Sequence, residues 1–243
     1  MRDPNIRADA RRARARFEVC MGIIRVISHN AERFSDRRQA GALLAMELKQ
    51  WRGRKAVVLG IPRGGIIVAE ELSRRLEAEL DIVLSRKLGA PNNPELAVGS
   101  VTEDGNVFLN EEIVSALSLG QGYIEKEKAY QMREIERRIA LFRKARPKIS
   151  LKDKSVIVTD DGVATGATMK AALWAARQEH PKKLIAALPV GPPETIQELS
   201  VIADEVLCLR APEFFSAVGQ FYAEFGQVED EEVLEILKDR GGA

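Results

Sequence analysis

The chain contains few of the residues on which much enzyme chemistry depends. Its 243 residues include two cysteines, Cys20 and Cys208, and two histidines, His29 and His180. That is too little cysteine for a zinc knuckle or a disulfide framework, and too little histidine for imidazole catalysis or a typical metal centre. We expect both cysteines to be buried as small apolar side chains. Any chemistry must therefore rest on carboxylates, cations and backbone groups.

Long apolar runs and an excess of one charge are also missing. No apolar run approaches the roughly 18 residues of a membrane span, so no membrane association is expected. The chain has 37 Lys+Arg and 36 Asp+Glu residues, which gives a formal net charge of +1. Such a balance argues against a protein that coats nucleic acid. The length fits one globular domain, and without a secretory leader the expected compartment is the cytoplasm.

The start of the chain differs in composition from the rest. The first sixteen residues contain six arginines and two aspartates. An arginine-rich start resembles an organelle transit peptide, but Asp3, Asp9 and Glu18 do not fit the acid-poor composition of such peptides. We therefore predict a basic N-terminal extension over residues 1–30 and one domain over residues 31–243.

Short apolar runs alternate with helical patterns through most of the sequence. Residues 56–61 form an apolar run that a glycine turn joins to a helical segment ending near Leu76, and residues 82–84 form a second run. This order of strand, helix and strand is typical of a right-handed crossover between parallel strands. The alternation resumes after Pro147. The sequence therefore predicts an α/β fold with a mainly parallel central sheet and helices on both faces.

Two segments interrupt this alternation. Residues 88–107 are rich in glycine, proline and asparagine, and we predict a mobile flap with one short strand over residues 97–101. Residues 120–146 form a charged segment whose apolar residues recur at the helical period. Its acids and bases are interspersed, which indicates a solvated helix rather than a nucleic-acid grip.

The strongest chemical signal lies in residues 156–168, which read VIVTDDGVATGAT. An apolar strand ends in Asp160 and Asp161, and a loop of small residues then leads into a helix. The carboxyl ends of strands open onto the ligand crevice of α/β sheets, so both acids are expected at its mouth. Small side chains let backbone N–H groups approach an anion, and the helix N-terminus adds positive potential. Acceptors for hydroxyls beside donors for a phosphate indicate a sugar-phosphate site.

This pattern resembles the phosphoribosyl-pyrophosphate fingerprint of the type I phosphoribosyltransferases. Residues 61–65, IPRGG, resemble the loop of that family that binds pyrophosphate and often contains a non-proline cis peptide. Residues 85–87, SRK, resemble its basic pair, and residues 88–107 correspond to its catalytic flexible loop. The resemblance covers residues 34–238 and is closest to a group known mainly from genome sequences, with similar PRGG, RKLGAP and DDGxATGAT strings. It implies the type I phosphoribosyltransferase fold with a small hood.

The resemblance also implies a reaction. A ribose 5-phosphate unit would pass from phosphoribosyl pyrophosphate to a nitrogenous acceptor such as a nucleobase, with Mg²⁺ as cofactor and release of pyrophosphate. Asp160 and Asp161 would hold the 2- and 3-hydroxyls and position Mg²⁺. Arg63 and Lys87 would stabilise the leaving pyrophosphate. The other implied substrate-binding residues are Gly64, Gly65 and Arg86 for pyrophosphate, Ala164, Thr165, Gly166, Ala167 and Thr168 for the 5-phosphate, and Phe215 for the acceptor. Dimers are common in the family, so we expect a homodimer.

Residues 212–219 bear on the acceptor. They loosely resemble the hood segment of 6-oxopurine transferases, in which an aromatic ring stacks on the base, and Phe215 or Phe214 is the candidate ring. Those enzymes usually have an acid where this chain has Ala164, and a lysine where it has residues 189–191, PVG. Both differences weaken a hypoxanthine or guanine assignment. The aromatic residues are equally compatible with simple core packing.

Other functions stay open on the sequence alone. A regulatory protein that senses phosphoribosyl pyrophosphate and binds nucleic acid or a protein partner would account for the basic N-terminus, but it would not need Arg63 and Lys87. Lys87 is also compatible with an ordinary surface cation, and an isolated pair of aspartates would more simply cap a helix. A phosphatase is disfavoured because Asp160 and Asp161 are adjacent and lack Asp-x-Asp spacing.

Overall fold

The computed structural model describes residues 21–239, apart from the side chains of Pro94, Glu95 and Glu112. The arginine-rich start of the predicted extension and Cys20 lie outside the described residues. The strands found within them are β1 (Ile23–Ser28), β2 (Val57–Gly60), β3 (Glu79–Ile82), β4 (Ser85–Ala90), β5 (Asn93–Thr102), β6 (Val107–Leu109), β7 (Ser155–Thr159), β8 (Lys183–Val190) and β9 (Glu205–Arg210).

Six of these strands form a parallel central sheet in the order β1-β9-β8-β7-β2-β3. Every residue of β2 is buried, and β8 is buried from Leu184 to Val190. Strands that are covered on both faces read as continuous apolar runs, which is the pattern that the sequence has. The predicted α/β fold with a mainly parallel sheet is confirmed.

The helices cover both faces of this sheet, as predicted. They are α1 (Arg37–Glu47), α2 (Gly65–Leu76), α3 (Glu111–Ala116), α4 (Gln121–Phe142), α5 (Ala167–Gln178), α6 (Pro193–Leu199) and α7 (Asp230–Asp239), with short 3₁₀ turns at Lys49–Trp51 and Val218–Phe221. Apolar residues of α1, α2 and α7 form one core cluster, and those of α5 and α6 form a second. The sheet therefore separates two apolar layers.

The start of α1 matters for the site described below. Asp36 is the N-cap, and its Oδ1 accepts a hydrogen bond of 2.7 Å from the Gln39 N–H. Leu44, on the inner face of the helix, is fully buried in the core. Arg37, the first helical residue, is also buried, with 8% of its surface exposed. The cap therefore fixes the residue at which α1 begins, and with it the position of the buried Arg37 side chain.

Residues 88–107 differ from the prediction of a flap with one short strand. Most of them form β4, β5 and β6, which pair in an antiparallel sheet. A separate apolar cluster supports this sheet, and its buried members are Leu88, Ala90, Val98, Val101, Ile124 and Ile135. Gly89 lies at an irregularity of the β4–β5 register, and a Cβ on Gly99 would lie 2.2 Å from the Phe108 carbonyl oxygen. These glycines mark irregular sheet positions rather than a loop.

The N-terminal boundary of the domain also differs from the prediction. Residues 23–28, which the composition placed in the extension, form β1 and pair in parallel with β9. As an edge strand β1 has one neighbour, and Ile23 stays 63% exposed, so its pattern lacks the full burial of the inner strands. The sheet therefore begins before residue 31, while a basic extension ahead of it stays a prediction.

Cys208 lies in β9 and is buried, as predicted. Burial raises the pKa of its thiol to about 12, so the thiol stays protonated at neutral pH. None of the helices in the part of the chain that the structure describes combines the length and apolar character that crossing a lipid bilayer requires.

Candidate functional site

Two turns meet at the carboxyl edge of the central sheet. β2 and β7 are parallel neighbours, with Gly60 opposite Thr159, so the segments that follow them leave the sheet side by side. A Cβ on Gly64 would lie 2.0 Å from Asp161 Oδ2, and a Cβ on Gly65 would lie 2.8 Å from Asp160 Cα. Only glycine lets the turn after β2 approach the two acids this closely. The structure thus brings the predicted glycine turn and the predicted acid pair together.

Asp161 is held by a buried ion pair that the sequence analysis did not identify. Its Oδ2 lies 2.8 Å from Arg37 Nε, and the two side chains are 15% and 10% exposed. The Tyr222 hydroxyl donates a hydrogen bond of 2.5 Å to the Asp161 carbonyl oxygen. The Asp161 N–H donates to Asp160 Oδ1 at 2.9 Å. Side chain and backbone of this turn are therefore fixed from three sides.

The environment disfavours the ionised form of both acids. Burial raises the pKa of Asp160 well above its ordinary value, and the adjacent charge of Asp161 adds to this effect. Burial also raises the pKa of Asp161, although Arg37 opposes the shift. The two carboxylates lie near one guanidinium, that of Arg37, so a further positive charge beside them would be favourable. A bound cation would stabilise the ionised forms.

The loop after the acids has the geometry of an anion cradle. Gly166 has φ 71°, in the left-handed region that favours glycine, and α5 begins at the next residue. The Val163 N–H donates to the Val190 carbonyl oxygen at 2.9 Å, and Thr195 Oγ1 donates to the Ala164 carbonyl oxygen at 2.8 Å. The first amides of a helix have no acceptor within it, so they are available to a phosphate. The side chains of Thr165 and Thr168 are exposed beside them.

A cavity of about 250 Å³ links the glycine turn to the basic pair. Its lining includes Pro62, Arg86, Lys87, Arg138 and Thr168. The peptide bond between Pro62 and Arg63 is cis, as in the pyrophosphate loop that the sequence resembles. Arg86 Nε donates to Gln131 Oε1 of α4 at 2.7 Å. Of the predicted pyrophosphate residues, Arg86 and Lys87 therefore line this space, which α4 closes. Arg63, Gly64 and Gly65 lie outside its lining, and Arg63 Nη1 donates to Glu229 Oε2 at 3.1 Å.

The hood, defined as residues 212–229, lies over the acid turn. A Cβ on Gly162 would lie 2.7 Å from Val218 Cγ1, and Phe225 lies under the Arg37 guanidinium at 3.9 Å. Of the two predicted acceptor rings, Phe215 packs on Phe221 with ring centroids 5.1 Å apart, while Phe214 is 86% exposed. Of the two candidate rings, Phe215 therefore takes part in core packing, and Phe214 is exposed to solvent.

Two residues of the site, Arg37 and Arg138, were not predicted from the sequence. Arg37 had a detectable signal, because a cation in the first turn of a helix opposes the helix dipole and requires a partner elsewhere. Arg138 had none, because its cation is one of many along the charged helix α4. Within the part of the chain that the structure describes, no cluster of three or more His, Cys, Asp or Glu side chains suits a metal.

Comparisons with known proteins agree with this arrangement. Residues 35–225 match the family described as phosphoribosyl transferase domain. The Mycobacterium tuberculosis H37Rv protein named "Putative phosphoribosyl transferase Rv0571c" is 43% identical over 204 residues, which cover 84% of this chain and 46% of that protein. The protein of strain CDC 1551 named "Putative phosphoribosyl transferase MT0597" matches to the same extent. The chain therefore spans about half the length of the curated relatives it matches.

A solved structure supports the fold independently. The crystal structure of TT1426 from Thermus thermophilus superposes with a TM-score of 0.81 at 47% identity, covering 86% of this chain and all of that one (100%). At this identity and TM-score the two chains share the arrangement of strands and helices that places the two turns side by side.

Proposed function

This chain belongs to the phosphoribosyl transferase domain family, and we propose that it transfers ribose 5-phosphate from phosphoribosyl pyrophosphate to a nitrogenous acceptor. The observation that carries the proposal is the contact between the two turns, in which Gly64 lies against the carboxylate of Asp161. The glycine turn offers donors for an anion, and the aspartates offer acceptors for hydroxyls. A sugar that carries a pyrophosphate next to free hydroxyls fits both.

The leaving group determines the need for positive charge. In the transfer, the bond between the anomeric carbon and the pyrophosphate oxygen breaks, and the acceptor nitrogen forms the new bond and loses a proton. Pyrophosphate leaves with the bonding electrons, so negative charge grows on it in the transition state. Arg63, Lys87 and the amides of Gly64 and Gly65 would stabilise that charge, with Arg86 beside them.

The acid pair fits Mg²⁺ and the ribose hydroxyls. Mg²⁺ is typically bound by one or two carboxylates together with substrate phosphates. Asp160 and Asp161 supply two carboxylates, and among the described residues Arg37 is the one cation paired with them. When bound, Mg²⁺ would neutralise charge on the departing pyrophosphate. The two aspartates themselves would accept hydrogen bonds from the 2- and 3-hydroxyls and so orient the ribose.

The cradle at the start of α5 fits the 5-phosphate. Residues 164–168 would bind it through backbone amides and the hydroxyls of Thr165 and Thr168. Because this phosphate is remote from the bond that breaks, its binding would position the sugar rather than stabilise developing charge. The cradle adjoins the cavity for the leaving group, because Thr168 belongs to the cradle and also lines the cavity.

We propose a nucleobase as the acceptor class, bound under the hood. Phe214 supplies an exposed ring, and Phe215 lies next to it on the Phe221 ring. A planar base gains binding energy from stacking on such rings. The homodimer and the cytoplasmic location stay predictions.

The test is pyrophosphate release from phosphoribosyl pyrophosphate and Mg²⁺ across a panel of purines, pyrimidines, pyridine carboxylates and small amines. We expect release that depends on one acceptor class and on Mg²⁺. Tight donor binding without turnover on any acceptor would favour the sensing protein, and salt-sensitive binding of RNA or DNA would identify its partner as nucleic acid. Absence of donor binding would contradict both functions.

A further inference from the structure

Arg138 lies on the inner side of α4, in the wall of the cavity that faces the glycine turn. The lining of this cavity also includes Arg86, Gln131, Pro62 and Thr168. Arg86 is already engaged, because its Nε donates to Gln131 Oε1. Gln131 in turn donates to Glu127 at 2.9 Å. A chain of hydrogen bonds along α4 therefore orients Arg86 but does not extend to Arg138.

The Nε atom of Arg138 is buried and has no hydrogen-bond partner. Buried polar groups are nearly always paired, so such a donor indicates a ligand or water that completes it. A guanidinium also presents its donors in a planar fork that fits the oxygens of a phosphate. The unpaired donor is thus chemically suited to an anion in the cavity.

The charges around Arg138 also favour binding of an anion. Burial lowers the pKa of Arg138 below its ordinary value, and the positive charge of Arg86 lowers it further. Arg137 and Arg63 act in the same direction, while the carboxylate of Asp230 opposes them. Asp230 pairs with Arg137 at 3.1 Å, so much of its charge is already compensated. Glu229 pairs with Arg63 at 3.1 Å, and an anion in the cavity would relieve the repulsion that remains among these cations.

We propose that Arg138 binds the pyrophosphate group of the donor and of the product, as a third guanidinium beside Arg63 and Arg86. The inference rests on the proposed function, since it names a further ligand of the same leaving group. The proposal gives α4 a direct role in binding, because Arg138 would contact the leaving group in addition to the residues of the glycine turn and the basic pair. Arg138 thereby belongs to the substrate-binding machinery and not to the solvated face of the helix.

The experiment measures the affinity of two ligands, pyrophosphate with Mg²⁺ and ribose 5-phosphate, by isothermal titration. Arg138→Gln should weaken pyrophosphate binding about tenfold or more, because it removes a charge-assisted contact, and should leave ribose 5-phosphate binding unchanged. Arg138→Lys should restore part of the pyrophosphate affinity, because a lysine keeps the charge without the fork. Arg133→Gln is the matched control, since Arg133 is exposed on the same helix.

The outcomes separate this inference from the proposed function. Wild-type binding of pyrophosphate that Arg138→Gln leaves intact would overturn the role of Arg138 alone. Equal losses for both ligands in Arg138→Gln would assign the residue a structural role and would also overturn it. A wild-type protein that binds neither ligand would overturn the proposed function and this inference together.

Discussion

Arg37 Nε lies 2.8 Å from Asp161 Oδ2, so the first residue of α1 holds one of the two acids at the carboxyl end of β7. The pair joins elements that are far apart in sequence, and a Cβ on Gly64 would lie close to both side chains, 2.0 Å from Asp161 Oδ2 and 3.1 Å from Arg37 Nε. Arg37 Nη1 also donates to the Gly226 carbonyl oxygen at 2.9 Å. One guanidinium therefore ties the acid turn, α1 and the hood together.

Replacing Arg37 should destabilise the fold. Both partners are largely buried, and the loss of one partner leaves an uncompensated charge, which typically costs about 3 kcal/mol. We expect Arg37→Gln and Asp161→Asn each to lower the free energy of unfolding measured in urea. The double variant should lose less than the sum of the two single changes. Strictly additive losses would show that the two side chains do not interact.

Asp160→Asn should separate activity from stability. Turnover should fall about a hundredfold or more, because a preorganised contact to the reacting sugar is lost. The melting temperature at neutral pH should rise, because the folded protein disfavours the ionised form of Asp160. Thermal unfolding and pyrophosphate release measured on one preparation test both effects. Full turnover in a folded Asp160→Asn variant would remove this acid from the mechanism.

The stabilisation by Asp160→Asn should depend on pH. The fold raises the pKa of Asp160, so the wild-type protein loses stability as the pH rises from the ordinary value of 3.8 through the raised one. Below the ordinary value the acid is protonated in both the folded and the unfolded state. The difference in unfolding free energy between variant and wild type should therefore be largest at neutral pH and vanish in acid. A difference that is the same at every pH would contradict this assignment.

Gly64→Ala should impair the reaction through the contact of the two turns. Gly64 has φ −60°, so alanine fits its backbone, but the added Cβ would lie 2.0 Å from Asp161 Oδ2. The carboxylate must move, and a displacement of this size in a catalytic group costs about a hundredfold in turnover. Gly122→Ala is the control, because a Cβ there meets nothing within 4 Å. Equal turnover in the two variants would contradict the role of this contact.

Gly166→Ala should weaken the 5-phosphate cradle. Its φ of 71° strains any other residue, and the Cβ would lie 2.6 Å from Thr195 Cγ2. Gly105 has φ 74° with open space around it, so Gly105→Ala carries the same strain without the contact. We expect both variants to lose about 1 kcal/mol of stability through this strain, and Gly166→Ala to lose more because of the contact. Only Gly166→Ala should bind ribose 5-phosphate more weakly. Unchanged affinity in Gly166→Ala would place the phosphate elsewhere.

The central sheet and the acid turn could be predicted because their signals are local. Continuous apolar runs identify buried parallel strands, and Asp160 and Asp161 directly follow such a run. Residues 88–107 were predicted as a flap with one short strand, but they contribute to three strands. The sequence does not indicate this because Gly89 lies at an irregular sheet position and the support of the sheet comes from Ile124 and Ile135 of a later helix. Local propensity does not contain such long-range packing.

The two missed arginines show the same limit within the site. Arg37 and Asp161 are distant in sequence. The parallel pairing of β2 with β7 brings Asp161 to Gly64, and the packing of α1 on α2 brings Arg37 there. Arg138 looks like any other cation of a charged helix until α4 packs on the antiparallel sheet. The turns themselves carry the residue types that their chemistry needs, whereas the residues that complete them come from elements brought near by tertiary packing.

Titration of the protein with phosphoribosyl pyrophosphate and Mg²⁺, followed by calorimetry, is the most direct measurement of the central claim. The account predicts one donor bound per chain, and at least about hundredfold weaker binding when Asp160→Asn and Asp161→Asn are combined in a variant that circular dichroism shows to be folded. Absence of binding to the wild-type protein, or equal affinity in the folded double variant, would contradict it.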